Sequence, residues 1–256
     1  MSDMATILIT GGTGRIGACL TRHFLNNNWT VVITTRRDLT AEGFGKDLGM
    51  SSKSGQLYVC RVDLETEDAS RRIAAFLDDN GLKPKTLVNN ARNLDHLKLD
   101  DNGRPSRAGW LGEYTLDVVA AYELSMTLAE QPDSKLETVV NMSSMNGLVV
   151  PTMQLYDDFP RQSPAHYGVA KAALIHLTKE LAVRLADRHI RVNAISFGGV
   201  EGRVNEAFKA RYAQFCPLGR MLNDNDLPGP VEFLATPASS GVTGHNLVVD
   251  GGWTIR

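Results

Sequence analysis

Cysteine is scarce in this chain, with only Cys19, Cys60 and Cys216 among 256 residues. Their odd number and wide spacing exclude a disulfide framework and give no metal-ligand pairing, so they read as reduced core thiols of a cytoplasmic protein. Charge of one sign is lacking too. With 27 Lys and Arg against 29 Asp and Glu, the net charge of -2 provides no field to recruit nucleic acid or a membrane surface. Long hydrophobic runs are also absent, and none reaches the roughly 18 residues needed to span a bilayer. The first residues carry neither a basic region nor a small-residue cleavage site, so neither export nor insertion is expected. Repeats, low-complexity tracts and Pro/Gly-rich linkers are missing, which favours a single domain over residues 1–256.

What is present is an alternation. Apolar runs of strand length fall at 6–10, 30–35, 56–61, 86–89, 138–142, 191–195 and 246–249. Between them lie a helix ending near Asn27 and helical patterns around 66–80, 109–130, 165–188 and 203–215. Strand and helix in turn predict an α/β fold, a doubly wound parallel sheet of about seven strands with helices on both faces.

Three motifs carry chemistry. Thr10-Gly11-Gly12-Thr13-Gly14-Arg15-Ile16-Gly17 follows the first strand and opens a helix, where glycines let backbone N–H groups approach a pyrophosphate. The bland alternative is a tight turn without a ligand. At the end of the second strand, Thr34-Thr35-Arg36-Arg37 places two guanidiniums where a carboxylate would otherwise accept ribose hydroxyls. That favours a 2′-phosphate and hence NADP(H), with NAD(H) a second option, although Asp38 follows and Arg37 could equally be a solvated surface residue. Tyr167 and Lys171 stand four apart in a helical pattern and so share a face. An ammonium beside a phenol favours the phenolate, which suits proton exchange with a substrate oxygen.

Taken in order, these residues resemble the short-chain dehydrogenase/reductase family over nearly the whole chain. The glycine turn matches that family's cofactor loop, Val62-Asp63-Leu64 its adenine contact, Asn89-Asn90-Ala91 its fourth-strand motif and Tyr167-Gly168-Val169-Ala170-Lys171 its active site. Met142-Ser143-Ser144-Met145-Asn146-Gly147 looks like its serine strand, and 191–196 and 244–252 its last two strands. The resemblance implies a Rossmann-like fold in which Tyr167 exchanges the proton, Lys171 binds the nicotinamide ribose and Ser144 holds the substrate oxygen. It also implies cofactor contacts from Asp63, Leu64, Asn90, Ala91, Gly198 and Val200, and a homo-oligomer, tetramer or dimer.

Departures from the family pattern are local. Arg15 occupies a glycine position, Arg92 ends the fourth-strand motif, Phe197 replaces a proline and Gly202 a threonine. Asp117 stands where the family has an asparagine whose carbonyl holds a relay water, a role an aspartate could keep if the helix stays kinked there. Ser144 and Tyr167 are 23 positions apart, about ten more than the family norm, and the additional segment carries Tyr156 and Arg161. It is expected to form a substrate loop or lid over 148–166, or else an ordered excursion that supports an oligomer. This segment, together with 89–93 and 208–221, resembles a bacterial subgroup associated with flagellin glycosylation and surface polysaccharides. That implies a polar sugar or sugar acid as substrate, with Arg92, Arg107 or Arg161 for a carboxylate. Two other readings stay open: a cofactor-binding sensor or scaffold without turnover, and a sugar-nucleotide epimerase or dehydratase.

Overall fold

A computed structural model describes residues 5–50, 55–202 and 204–256. Its strands are β1 (Thr6–Ile9), β2 (Thr30–Thr35), β3 (Leu57–Arg61), β4 (Thr86–Asn89), β5 (Thr138–Ser144), β6 (Arg191–Phe197) and β7 (Asn246–Val249). They form one parallel sheet in the order β3-β2-β1-β4-β5-β6-β7. The helices are α1 (Arg15–Asn26), α2 (Ala41–Asp47), α3 (Ala69–Asp79), α4 (Arg107–Tyr114), α5 (Ala120–Glu130), α6 (Phe159–Gln162), α7 (Ala165–Arg184), α8 (Glu206–Phe215) and α9 (Pro228–Ala235).

A sheet covered on both faces must be apolar on both, which is why its strands read as runs rather than alternations. Ile7, Leu8 and Ile9 are all fully buried, yet they serve different layers. Ile7 and Ile9 pack with Leu20 and Phe24 of α1 and Val231 and Leu234 of α9. Leu8 packs with Ile73 and Leu77 of α3, Leu124 of α5 and Leu181 of α7. A third cluster, built on Tyr212, Trp253, Met145 and Leu155, ties α8 and the 148–166 segment to the sheet's end.

The seven strands fall where the apolar runs predict them, with β5 and β6 two residues longer. The 203–215 pattern starts at Arg203, which lies outside the described residues, and its helix begins at Glu206. Three helices escape the periodicity: α2, α6 and α9 contain 7, 4 and 8 residues, too few to show a repeat. Most consequential for the site, the 109–130 helix is not continuous. A π turn over Thr115–Val119 separates α4 from α5 and keeps the local kink.

The strand order reverses between β1 and β4, so the connections leaving these two strands diverge to opposite faces. In such sheets a crevice opens beyond the carboxyl ends at that point.

Candidate active site

The crevice at this switch point encloses about 520 Å³. Its floor is the turn after β1. Gly11 has φ of +63°, and a Cβ there would lie 2.7 Å from the Ala91 Cα. A Cβ on Gly17 would collide with the Gly11 carbonyl oxygen. The turn thus closes on itself through glycines, with Gly14 N donating to Gly11 O at 3.0 Å. Asn90 Nδ2 donates to Thr10 O at 2.8 Å, and Thr10 Oγ1 accepts from the Asn90 and Ala91 amides. Among the described residues no side chain caps α1 at Gly14, which leaves its first N–H groups for an anion. These features fit a dinucleotide, and Thr13, Gly14, Arg15 and Ile16 line the wall above them.

Two departures from the family sequence compensate each other. Arg15 turns across the crevice mouth to pair with Asp224 at 2.9 Å. Gly202, with φ of +115°, has no Cβ because the Arg15 guanidinium occupies that space.

The β2 tip bears the expected pair, Arg36 and Arg37, both lining the crevice. Asp38 does not line it and pairs with Arg61 at 3.3 Å instead. Glu65, which sequence reading did not single out, lines this end and holds His96 at 2.9 Å, with Arg36 at 3.9 Å. Asp63, Leu64, Asn90 and Ala91 form the neighbouring wall, and Gly198 and Val200 the far end. Asn89 does not reach the crevice. It is buried, donates to Asn141 Oδ1 at 2.8 Å and braces β4 against β5.

Ser144, Tyr167 and Lys171 converge on the deeper wall. Tyr167 and Lys171 occupy successive turns of α7, whose seat on the end of β5 depends on two close approaches. A Cβ on Gly147 would be 2.8 Å from the Lys171 carbonyl carbon, and one on Gly168 would be 2.7 Å from Asn146 O. Ser144 Oγ accepts from the Asn146 amide at 3.2 Å. Two cations stand near Tyr167, the Arg92 guanidinium 4.3 Å and the Lys171 ammonium 5.8 Å from its ring centroid. Both cations lie over the ring, within the reach of a cation–π contact.

Lys171 is only 5% exposed. Its Nζ donates to Met142 O and Asp117 Oδ1, each at 2.9 Å. The Asp117 side chain thus takes the lysine directly, a contact the family analogy with a backbone carbonyl did not anticipate. Asn146 Oδ1 is buried on the same wall without a hydrogen-bond partner among the described residues, and an amide oxygen in that state suits a ligand donor.

Three substrate candidates do not line the crevice: Arg107, which is exposed at the start of α4, Tyr156 and Arg161. The Tyr156 ring packs edge-on against Phe159 and Phe208, at 5.5 and 5.6 Å, and burial pushes its phenol pKa up. Arg161 is committed to Asp158 at 2.7 Å and to the Asp101 carbonyl at 2.6 Å. The 148–166 segment is therefore fastened on two sides, since Arg211 also binds Leu155 O at 2.9 Å and Asp157 at 3.1 Å. Tyr156 and Phe159 use apolar surface in this packing.

Comparison with known proteins agrees with the geometry. A family model described as enoyl-(acyl carrier protein) reductase matches residues 13–254. The chain is 25% identical over the full length of both proteins to the post-translational flagellin modification protein A of Campylobacter coli. It is 26% identical to a galactitol 2-dehydrogenase (L-tagatose-forming) of Cereibacter sphaeroides, over 99% of this chain and 96% of that one. Among solved structures, a short chain dehydrogenase from Leptospira borgpetersenii with bound NAD+ superposes with a TM-score of 0.85 and 29% identity, covering 98% and 93% of the two chains. With the family model spanning nearly the whole chain and the glycine cradle, serine, tyrosine and lysine assembled in one crevice, the chain belongs to the short-chain dehydrogenase/reductase family and is an NAD(P)-dependent oxidoreductase.

Proposed function

We propose that this protein moves a hydride between NADP(H) and an alcohol or ketone, with a polar sugar or sugar acid of surface-glycan synthesis as substrate. The observation that carries the reading is the placement of Tyr167 beside both Arg92 and Lys171, in a crevice whose other end presents Arg36 and Arg37 while Asp38 pairs with Arg61. The cofactor supplies the hydride chemistry. Ser144 donates to the substrate oxygen, Tyr167 gives or takes its proton, and Lys171, fixed by Asp117 and Met142 O, supplies the positive charge that steadies the phenolate. Asp117 acts through Lys171. Arg92 is exposed, has no carboxylate partner among the described residues and stands over Tyr167, so it is the cation we assign to a substrate carboxylate. The names of the flagellin-modification and galactitol relatives support a polyhydroxylated substrate.

NADP(H) is preferred because Arg36 and Arg37 can hold a 2′-phosphate by charge-assisted bonds, and NAD(H) is the weaker alternative. We further propose a cytoplasmic single-domain homo-oligomer, dimer or tetramer. The exposed Trp110, Leu111, Tyr114 and Tyr122 along α4 and α5 are apolar surface that a second copy would cover. Calorimetric titration with NADPH and NADH tests the cofactor reading. Tighter NADPH binding that Arg36→Ala abolishes agrees with it, and equal or tighter NADH binding overturns it.

A further inference from the structure

Behind Lys171 lies a charged group that the chemistry of Ser144, Tyr167 and Lys171 does not use. Glu113 in α4 and Asp117 in the π turn are four residues apart, and they are 2% and 5% exposed. Buried carboxylates need partners, and this pair is short of them. Asp117 Oδ1 accepts from Lys171, but Asp117 Oδ2 and Glu113 Oε2 are buried without a hydrogen-bond partner among the described residues. Lys171 bonds Asp117 alone, which leaves Glu113 in no ion pair among the described residues, and a single proton removes its buried charge.

Near the pair, the buried His166 Nδ1 is also without a hydrogen-bond partner among the described residues, an atom that can accept the proton of a neutral acid but neutralises no carboxylate charge while the ring is neutral. The charged or titratable groups near the pair are Arg92 from the loop after β4, His96 from the turn at Leu94–Leu97 and Lys171 from α7, with the His166 ring of α7 packed on α4 at Gly109 and Trp110. His96 is held by Glu65, and His166 Nε2 bonds the His96 carbonyl at 2.7 Å. Desolvation first, and repulsion by Asp117 second, push the Glu113 carboxyl up to about 7. Arg92, Lys171 and His96 pull the other way without cancelling this shift. Asp117 also borders an internal cavity of about 10 Å³ beside Thr10 and Asn89, space for about one water.

We propose that Glu113 and Asp117 work as one proton-holding pair behind Lys171, loading and unloading the proton that Tyr167 exchanges with substrate. The idea rests on the assignment of Tyr167 and Lys171 made above. In ketone reduction the substrate carbon receives the hydride and its oxygen takes the Tyr167 proton. The phenolate recovers a proton from the Lys171 ammonium, the resulting amine takes one from the neutral acid of the pair, and solvent reprotonates the pair. Alcohol oxidation runs the same sequence backwards. Glu113 and Asp117 are therefore positioning residues that touch neither substrate nor cofactor.

The decisive test needs no substrate. Infrared titration of the intact protein between pH 5 and 9 should show a protonated carboxylic acid that ionises near neutrality and is lost in Glu113→Gln. Asp117→Asn should move that midpoint down by about one unit, because the repelling charge is gone. Absence of a neutral acid near pH 7, or a midpoint indifferent to Asp117→Asn, overturns the proposal. A second readout uses NADP+ calorimetry at pH 7 in buffers of different ionisation enthalpy. The cationic nicotinamide favours the doubly ionised pair, so binding should release a fraction of a proton from the wild type and none from Glu113→Gln. Equal release from both proteins contradicts the proposal. Failure of NADP+ to bind defeats the cofactor reading instead, and the infrared titration then decides the pair on its own.

Discussion

Replacing Asp117 with leucine should reveal how much the site spends to keep Lys171 charged. The ammonium is 5% exposed and has two acceptors, Asp117 Oδ1 and Met142 O. Asp117→Leu leaves it with one carbonyl, and breaking a buried ion pair from one side costs about 3–5 kcal/mol. A second route bounds the number. The lysine can escape by shedding its proton, which at pH 7 costs about 1.36 kcal/mol for each unit below the ordinary lysine value of about 10.4, or roughly 5 kcal/mol. The expected loss is therefore about 3–5 kcal/mol, and for a chain of this length it lowers Tm by roughly 6–20 °C. Ionisation of Glu113 can offset part of this and sets the lower end. Circular-dichroism melts at pH 7, backed by urea titrations, measure the loss. The double variant Asp117→Leu/Lys171→Met should recover most of it, because removing both charges leaves no orphan. The single variant should also approach the wild type as pH rises towards 10, where giving up the lysine proton becomes cheap. A single-variant loss under about 1 kcal/mol, or a double variant less stable than the single, would refute the claim that this buried pair is needed to hold the lysine.

Glu113 and Gly17 each give a further test. Glu113 ionises at about 7 in the fold against 4.5 when unfolded, so its neutral form is the one the fold favours. Its contribution is complete below about pH 4.5 and is lost as pH climbs through 7, a decline of about 3 kcal/mol that Glu113→Gln should abolish in stability curves measured between pH 4.5 and 8. An equal pH slope in both proteins would show that Glu113 is not held neutral. Gly17→Ala places a methyl against the Gly11 carbonyl, which forces the phosphate turn open. Calorimetry should show cofactor affinity falling at least tenfold while the fold persists, and unchanged affinity would remove the turn from the cofactor site.

Much of this molecule is legible in its sequence because the signals are either periodic or chemically singular. The buried strands announce themselves as apolar runs, and the glycine turn, Ser144, Tyr167 and Lys171 come together because each is fixed to the end of a strand or the face of α7. What escapes is set by long-range geometry. Nothing local states that Arg15 fills the space left by Gly202, although the coincidence of an added and a missing side chain is the trace of it. Glu113 was readable only as a carboxylate four residues before Asp117, a spacing equally natural on a solvated helix, and its burial depends on how α4 packs beside α7. Tyr156 and Arg161 show how tertiary packing adds what local sequence does not state. Aromatic and basic residues in an inserted loop look available to a ligand, yet here one fills the cluster around Phe208 and the other fastens the loop to Asp158 and Asp101.

The central claim is that Tyr167 exchanges the substrate proton in an NADP(H)-dependent redox reaction. Its most direct test is NADPH consumption by wild type and Tyr167→Phe across a panel of keto sugars and keto acids, with cofactor affinity measured on both proteins. The account predicts that the wild type consumes NADPH with at least one member, and that the variant is slower by about a hundredfold or more at unchanged affinity. Equal turnover by the two proteins would contradict it.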